Sequence, residues 1–532
     1  MNQVEIKRRQ IQAVSVILTL ITLTVAARLV GYNGLAYIAA AVEAFALLWL
    51  AVCGNLADSL GRLIRIRSFK GQHRNAGRLR RNVLIFQLVL GFLGSLILFA
   101  GADWLAQTVF KLQYSTFILM VLSPTVFFRT ISTVLQGYFQ GEGTELPAAV
   151  AAVLRQVFIL GFGLLFGHML SDYGAKVSKL LVQENFTSMY GGVGIAMAVS
   201  VSEIIILIFL VVIYRSGRKP PDRLRQEPVR VLDSFVDSVR ILSAARSLLW
   251  VTDLLVFLPI PLGLIFLQKS AAADAAAEYG VYASGYLVLC GIWTALTLIL
   301  LVPVCGRTLS CLRRDEPRFA KSVFQSGVHY GVVHAVFAAV FMAVMASQLA
   351  AVICPGQVRV AERMIRGGSA AILFLVLSLY FGRLLILLGG KVLLLGAVGA
   401  ADVMYAVTLA VFLNAGNAGA LALVYAGLLG LGLLCILSGV MTYRQMRVRI
   451  DWLQICVIPA GAAAVTGLLC MLLGRVFTSH LGEPVTLIIT LVLGFCLYWV
   501  LLVLLKNFRE QELEVLPGGR FIRALGQMLR VF

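Results

Sequence analysis

Residues 190–221 read YGGVGIAMAVSVSEIIILIFLVVIYRSGRKPP. Positions 190–213 carry a single charge, Glu203, and as a helix rising 1.5 Å per residue they reach across the ~30 Å hydrocarbon core of a bilayer. Basic residues follow at once, and then Lys219-Pro220-Pro221, where proline lacks the N–H that a continuing helix needs. An apolar run closed by cations and a helix breaker reads as a membrane span returning to water. The same grammar recurs along all 532 residues, of which 60% are hydrophobic and 13% charged. Soluble domains carry roughly a quarter charged residues, enough to cover their surface. This chain has too few, so its predicted fold is all-α and polytopic in a membrane.

About fourteen spans are expected, at 11–31, 33–54, 83–103, 115–137, 148–169, 190–213, 244–267, 278–303, 325–352, 369–388, 392–414, 418–441, 453–475 and 485–506. The net charge of +20 would suggest nucleic acid in a soluble protein, but here the basic residues sit in short loops between spans. Taking the loops alternately, 33 Lys and Arg fall on the side of both termini and 8 on the other, which by the positive-inside rule makes the termini cytoplasmic. The polar stretch 214–246 is the longest. It divides the chain into 1–213 with six spans, a linker 214–243, 244–451 with six more, and 452–532 with a final pair and a cytoplasmic tail. Halving of this kind is expected of a transporter built from two repeated lobes.

Short motifs sit between the spans. Ala27-Arg28-Leu29-Val30-Gly31-Tyr32 closes the first and Gly34-Leu35-Ala36-Tyr37 opens the second. Gln136-Gly137-Tyr138-Phe139-Gln140-Gly141 follows the fourth, with Pro147 just beyond. Gly416-Asn417-Ala418-Gly419-Ala420-Leu421-Ala422 begins the twelfth, and Glu512-Leu513-Glu514-Val515-Leu516-Pro517-Gly518-Gly519-Arg520 precedes a short last helix. Together and in this order they resemble the polysaccharide and lipid II flippases of the MOP exporter superfamily, in the branch of stage V sporulation protein B and MurJ-type proteins of Gram-positive bacteria. Gln136 stands where that pattern usually has Arg, and Val14 to Val25 is uncharged where many relatives carry basic residues. The resemblance implies two six-helix lobes around a central cavity, with the last two spans adding a groove for a lipid tail. It also implies a flippase in the cell membrane that moves an undecaprenyl-diphosphate-linked glycan by alternating access. The alternatives are a cation-coupled multidrug or small-molecule exporter of the same superfamily, and a transport-inactive scaffold working with cell-envelope or spore assembly proteins.

Setting aside charges within the first or last three residues of a span's ends such as Asp103, Arg246, Glu278, Arg475 and Lys506, the spans hold Arg28, Arg129, Arg155 and Arg383 against Glu43, Glu203, Asp253 and Asp402. An ionised group at mid-bilayer costs ~2.5 kcal/mol or more, so each is expected to face a cavity or a partner. Arg129 and Arg155 stand at similar depth on spans joined by a short loop, where two planar guanidiniums suit a diphosphate. The competing reading pairs each with Glu43 or Glu203 as structural glue. Arg28 joins the diphosphate set by its match to the family motif, or else snorkels to the interface. Arg383 reads as an anchor near a span end. Asp253 and Asp402 fall in spans seven and eleven, where MurJ-type proteins hold a coupling cation. Oxygen ligands suit Na⁺, H⁺ is the other coupling ion, and a charge-paired carboxylate is the competing reading.

No enzymatic constellation appears, and no cofactor is expected. The nine Cys include no C-x-x-C pair, His329 and His334 miss the i, i+4 spacing, and Gly161-x-Gly163 lies in an apolar helix that follows no strand. In the tail, Phe521, Leu525, Met528 and Phe532 share a face, the pattern of an interfacial helix against membrane lipids. The topology is checked by cysteine labelling in a background without native Cys: an impermeant reagent is expected to reach Arg74→Cys only from the cytoplasmic side, and labelling from outside reverses the orientation.

Overall fold

The computed structural model describes residues 3–182, 185–217, 231–269, 274–415, 419–448 and 453–528. The break at Lys219-Pro220-Pro221, the start of the twelfth-span motif at 416–418 and the tail residues 529–532 lie outside them. The described chain is helical, without a strand. Twelve of its helices are long and apolar enough to cross a membrane, and a pair bent by 49°, Val358–Gly368 with Ala371–Leu387, makes a thirteenth candidate. One of the twelve runs Gln10–Phe69, is interrupted at Gly31, and carries the expected spans 11–31 and 33–54 in succession. Each of the fourteen expected spans therefore coincides with helix.

The chain gathers into two compact units, Met1–Gly280 and Val281–Phe532. In the first unit α1 (Gln3–Cys53) is followed by α2 (Leu56–Phe69), α3 (His73–Ala100), α4 (Ser115–Gly141), α5 (Leu146–Leu181) and α6 (Asn185–Ser216). After the linker come α7 (Val231–Ala245), α8 (Leu248–Phe257), α9 (Pro259–Lys269) and α10 (Ala275–Val281). Gly31 has φ 70° and ψ 177°, a conformation that L side chains rarely adopt, and there α1 turns back on itself. Ser15 donates to Ala152 O (3.4 Å) near the start of α5, Tyr37 O accepts from Ser115 at the start of α4, and Cys53 has returned to Thr130 (3.5 Å).

The seventh span belongs to this first unit, so the compact units divide later along the chain than the 214–243 linker. Local bonds explain the placement. Asn55 N–H donates to Ala245 O (3.1 Å), Arg246 Nη2 to Val52 O (3.1 Å) and Trp250 Nε1 to Leu50 O (3.0 Å). They satisfy main-chain carbonyls at the adjoining ends of α1 and α7. Amphipathic α2 and α7 bury Leu56, Leu60, Ile64 and Ile241 against Leu79, Val83 and Val134 of α3 and α4.

The second unit holds α11 (Leu287–Arg313), α12 (Pro317–Val344), α13 (Ala346–Ile353), α14 (Val358–Gly368), α15 (Ala371–Leu387), α16 (Lys391–Asn414), α17 (Leu421–Met446), α18 (Ile458–Leu481) and α19 (Glu483–Leu504). Two short helices, α20 (Glu510–Val515) and α21 (Gly519–Met528), end it. Each unit has a central helix: 61% of the spanning window of α4 and 67% of that of α12 is buried, against 39% or less in the other ten of the twelve. Helices hidden from lipid can carry polar side chains, and α4 buries Ser123, Thr125, Thr130, Ser132 and Thr133, while α12 buries Ser326 and His329.

The sequence motif at 512–520 docks on this second hub. Arg307 of α11 bonds Val515 O, Tyr330 of α12 donates to Pro517 O (2.9 Å), and Glu512 Oε2 stands 3.3 Å from His329 Nδ1. On α21, Ile522 is buried while Phe521 and Met528 are exposed, so its apolar face is divided between protein and surroundings. A Cβ at Gly519 would stand 1.8 Å from Leu513 O, closer than any real contact. Gly519→Ala is therefore expected to lower stability by about 1–3 kcal/mol, the usual cost of overpacking, read as a lower melting temperature of the detergent-purified protein. An unchanged melting temperature would mean that the docked tail contributes nothing to stability.

Candidate functional site

Three helices of the first unit bring charge to one depth. Arg129 lies twelve residues before the end of α4, Arg155 nine after the start of α5, and Glu203 thirteen before the end of α6, about 14–20 Å from the same face at 1.5 Å per residue. Helices α5 and α6 pack along their length, and α4 lies against α6, held there by Thr125 Oγ1 to Ser200 Oγ (2.8 Å) and by Ser200 donating to Val121 O (2.9 Å). For Arg129 and Arg155 the alignment follows from antiparallel helices joined by a short loop, which places residues about equally far from the turn at the same level, and Glu203 is brought to them by the packing of α6.

Glu203 is the meeting point. Arg129 Nη1 donates to its Oε1, and Arg155 Nη2 donates to Oε2 at 3.4 Å. Arg155 Nε stands 2.6 Å from Oε1, within ion-pair range, although its N–H is not aligned for a hydrogen bond. The Glu203 side chain is 1% exposed, that of Arg155 11% and that of Arg129 28%. Arg129 also lies over the indole of Trp49, 5.2 Å from the ring, and a desolvated cation–π contact contributes ~2 kcal/mol. One carboxylate faces two guanidiniums, so the cluster carries a net charge of +1. Arg155 is locked by burial, and Arg129 keeps an accessible edge.

The other candidates stand elsewhere. Glu43 is buried, yet it pairs with neither arginine. Its Oε1 accepts from the Tyr279 hydroxyl (2.5 Å), and Oε2 has no hydrogen-bond partner. Arg28 is exposed, and among the described residues it has no ion pair or hydrogen bond. Its neighbour Leu29 packs beside Gly167, which is twelve residues, or about 18 Å, beyond Arg155 on α5. Arg28 is thus not brought to Arg129 and Arg155. Asp253 accepts from Asn55 Nδ2 (2.9 Å) within the first unit, whereas Asp402 belongs to α16 of the second, half-buried with Oδ2 unpartnered. Arg383 is exposed on α15. Among the described residues no three His, Cys, Asp or Glu side chains gather as a metal site. The sequence reading passed over Trp49, because a Trp near a span end reads as an interfacial belt residue, and over Asn55, which closes a helix in a loop.

No family model matches the chain. Among solved structures, the inward-facing form of a multidrug resistance MATE family transporter of the MOP superfamily superposes with a TM-score of 0.65 at 15% identity, over 83% of this chain and 98% of the other. Lipid II flippase MurJ in an inward closed conformation superposes at 0.63 and 13% identity, over 94% of this chain and 99% of that one. This chain has the fold of the MOP superfamily. In sequence, the MOP-fold chain is 27% identical over 175 residues to stage V sporulation protein B of Bacillus subtilis (strain 168). That alignment takes in 30% of this chain and spans a third, 33%, of the relative's length. The fold that the loop motifs implied is thus matched by solved structures, and a third of the relative that those motifs suggested is similar in sequence.

The cluster makes a stability prediction. Removing one partner of a buried ion pair typically costs 3–5 kcal/mol, because the remaining charge is left uncompensated. Glu203→Gln is expected to cost about that much, seen as a lower melting temperature, and Arg155→Met in the same chain is expected to recover part of it. A Glu203→Gln protein that melts at the normal temperature would show that the pair is not formed.

Proposed function

We propose that the protein is a flippase for a lipid-linked glycan, with Arg129 and Arg155 receiving the diphosphate. The observation that carries this reading is the surplus charge of the first-unit cluster, where two guanidiniums share one buried carboxylate and the more exposed of them keeps an open edge. A diphosphate cannot enter hydrocarbon unless its charge is compensated along the route. A planar, permanently protonated guanidinium serves that purpose without a change of protonation. Glu203 holds both arginines in register while the site is empty and yields one of them when an anion arrives. The likeness to stage V sporulation protein B and the MurJ fold support the choice of a polyprenyl diphosphate as carrier.

A second reading, a cation-coupled small-molecule exporter, is favoured by Glu43, a buried carboxyl with one unpartnered oxygen. In either reading the coupling ion, Na⁺ or H⁺, is assigned to a carboxylate with an oxygen free of hydrogen bonds, Glu43 in the first unit or Asp402 in the second. Asp253 is the weaker choice, because Asn55 already holds it.

The two readings separate in proteoliposomes carrying a fluorescent polyprenyl-diphosphate sugar. Arg129→Ala is expected to abolish flipping and Arg129→Lys to restore a minor part, since an ammonium lacks the fork that holds two phosphate oxygens. Expression and melting temperature serve as controls for folding. A well-folded Arg129→Ala protein that flips at the normal rate would refute the flippase assignment at this site.

A further inference from the structure

Of the eight Lys and Arg expected on the side opposite the termini, three lie within eight residues of one helix, Arg359, Arg363 and Arg366 of α14. Membrane insertion disfavours cations on that side, so a cluster there calls for a reason other than topology. The spacings of four and three residues put all three on one face of the helix. The opposite face is fixed in the second unit, with Ala361, Met364, Ile365 and Gly368 buried and Tyr286 donating to Gly368 O (3.1 Å). The helix then bends by 49° into α15.

The exposed face lines an open cavity of about 640 Å³ with Glu362, Gly367, Leu421 and Tyr425. That volume falls in the range of small-molecule sites, ~300–1,000 Å³. Only one acid opposes the three cations: Glu362 Oε1 binds Arg366 Nη2 at 2.8 Å. Arg359 and Arg363 keep their guanidinium forks, one helical turn apart, and the lining carries a net charge of +2. Leu421 and Tyr425 of α17 provide an apolar wall beside the cations.

We propose that this face is a second diphosphate site, separate from Arg129 and Arg155, that receives the head group of the translocated lipid on the side opposite the termini. Among the described residues Arg359 and Arg363 have no carboxylate partner, and although Arg363 Nε donates to Arg359 O (3.3 Å) the Nη ends of both can meet a diphosphate, while the apolar wall suits the first carbons of its chain. The proposal rests on the flippase reading for the identity of the ligand and on the charge-derived topology for its side.

The test uses full-length protein in phosphatidylcholine nanodiscs in the Arg129→Ala background, so that only the α14 site is read. Undecaprenyl diphosphate is the probe, with inorganic pyrophosphate and phosphatidylglycerol as competitors. Adding Arg359→Gln and Arg363→Gln is expected to weaken probe binding at least tenfold, with pyrophosphate competing and phosphatidylglycerol at equal mole fraction competing poorly. Both arginines are exposed and outside the packed face, so the double variant is expected to melt like its parent. Unchanged binding in the double variant would overturn the site, and equal competition by phosphatidylglycerol would reduce it to a general anchor for anionic lipid. Binding is measured independently of transport, so normal flipping by Arg129→Ala would remove the proposed function while leaving this result readable.

Discussion

A guanidinium held among apolar helices costs several kcal/mol unless a carboxylate meets it, and Glu203 meets two. The first unit is organised around that contact. It requires α4, α5 and α6 to stand at one register, because a shift of one helical turn would carry an arginine ~5 Å away from its partner. It also requires a hub hidden from lipid, which α4 provides with its run of buried Ser and Thr. The imbalance of the cluster matters as much as its stability. Two cations share one anion there, which leaves a net charge of +1 among the helices.

The same need to satisfy polar groups in an apolar medium explains the tyrosines. Tyr286, Tyr330 and Tyr498 each donate to a main-chain carbonyl, of Gly368, Pro517 and Val333, and Tyr279 donates to the Glu43 carboxyl. These bonds tie helix ends and docked segments without adding charge. Of the four, Tyr330 fastens the tail, whose Leu513, Val515, Leu516 and Ile522 are buried. Polar satisfaction here works as long-range fastening, since the helical ladders already consume the rest of the backbone.

Charge is concentrated in a few places. Most Lys and Arg lie in the loops and tail between the spans, a single uncompensated cation sits within the first unit, and a smaller cationic face lies on α14 of the second.

The sequence by itself determined that the chain is all-α and membrane-spanning, where its spans fall, and which superfamily it resembles. Those properties depend on runs of residues, and a run of twenty apolar side chains has one use in water and lipid. It named Arg129, Arg155 and Glu203 because a charge in such a run stands out, but left open whether each arginine would pair with Glu43 or with Glu203. Only the tertiary structure decided that both converge on Glu203, that Trp49 covers one of them, that Tyr279 takes Glu43, and that Arg28 stands apart. It likewise assigned the seventh span to the first unit, through Arg246, Trp250 and Asn55. The physical reason is rotational: hydropathy reports how deep a residue lies along its helix, whereas pairing depends on which way it faces, and the packing of neighbouring helices sets that angle.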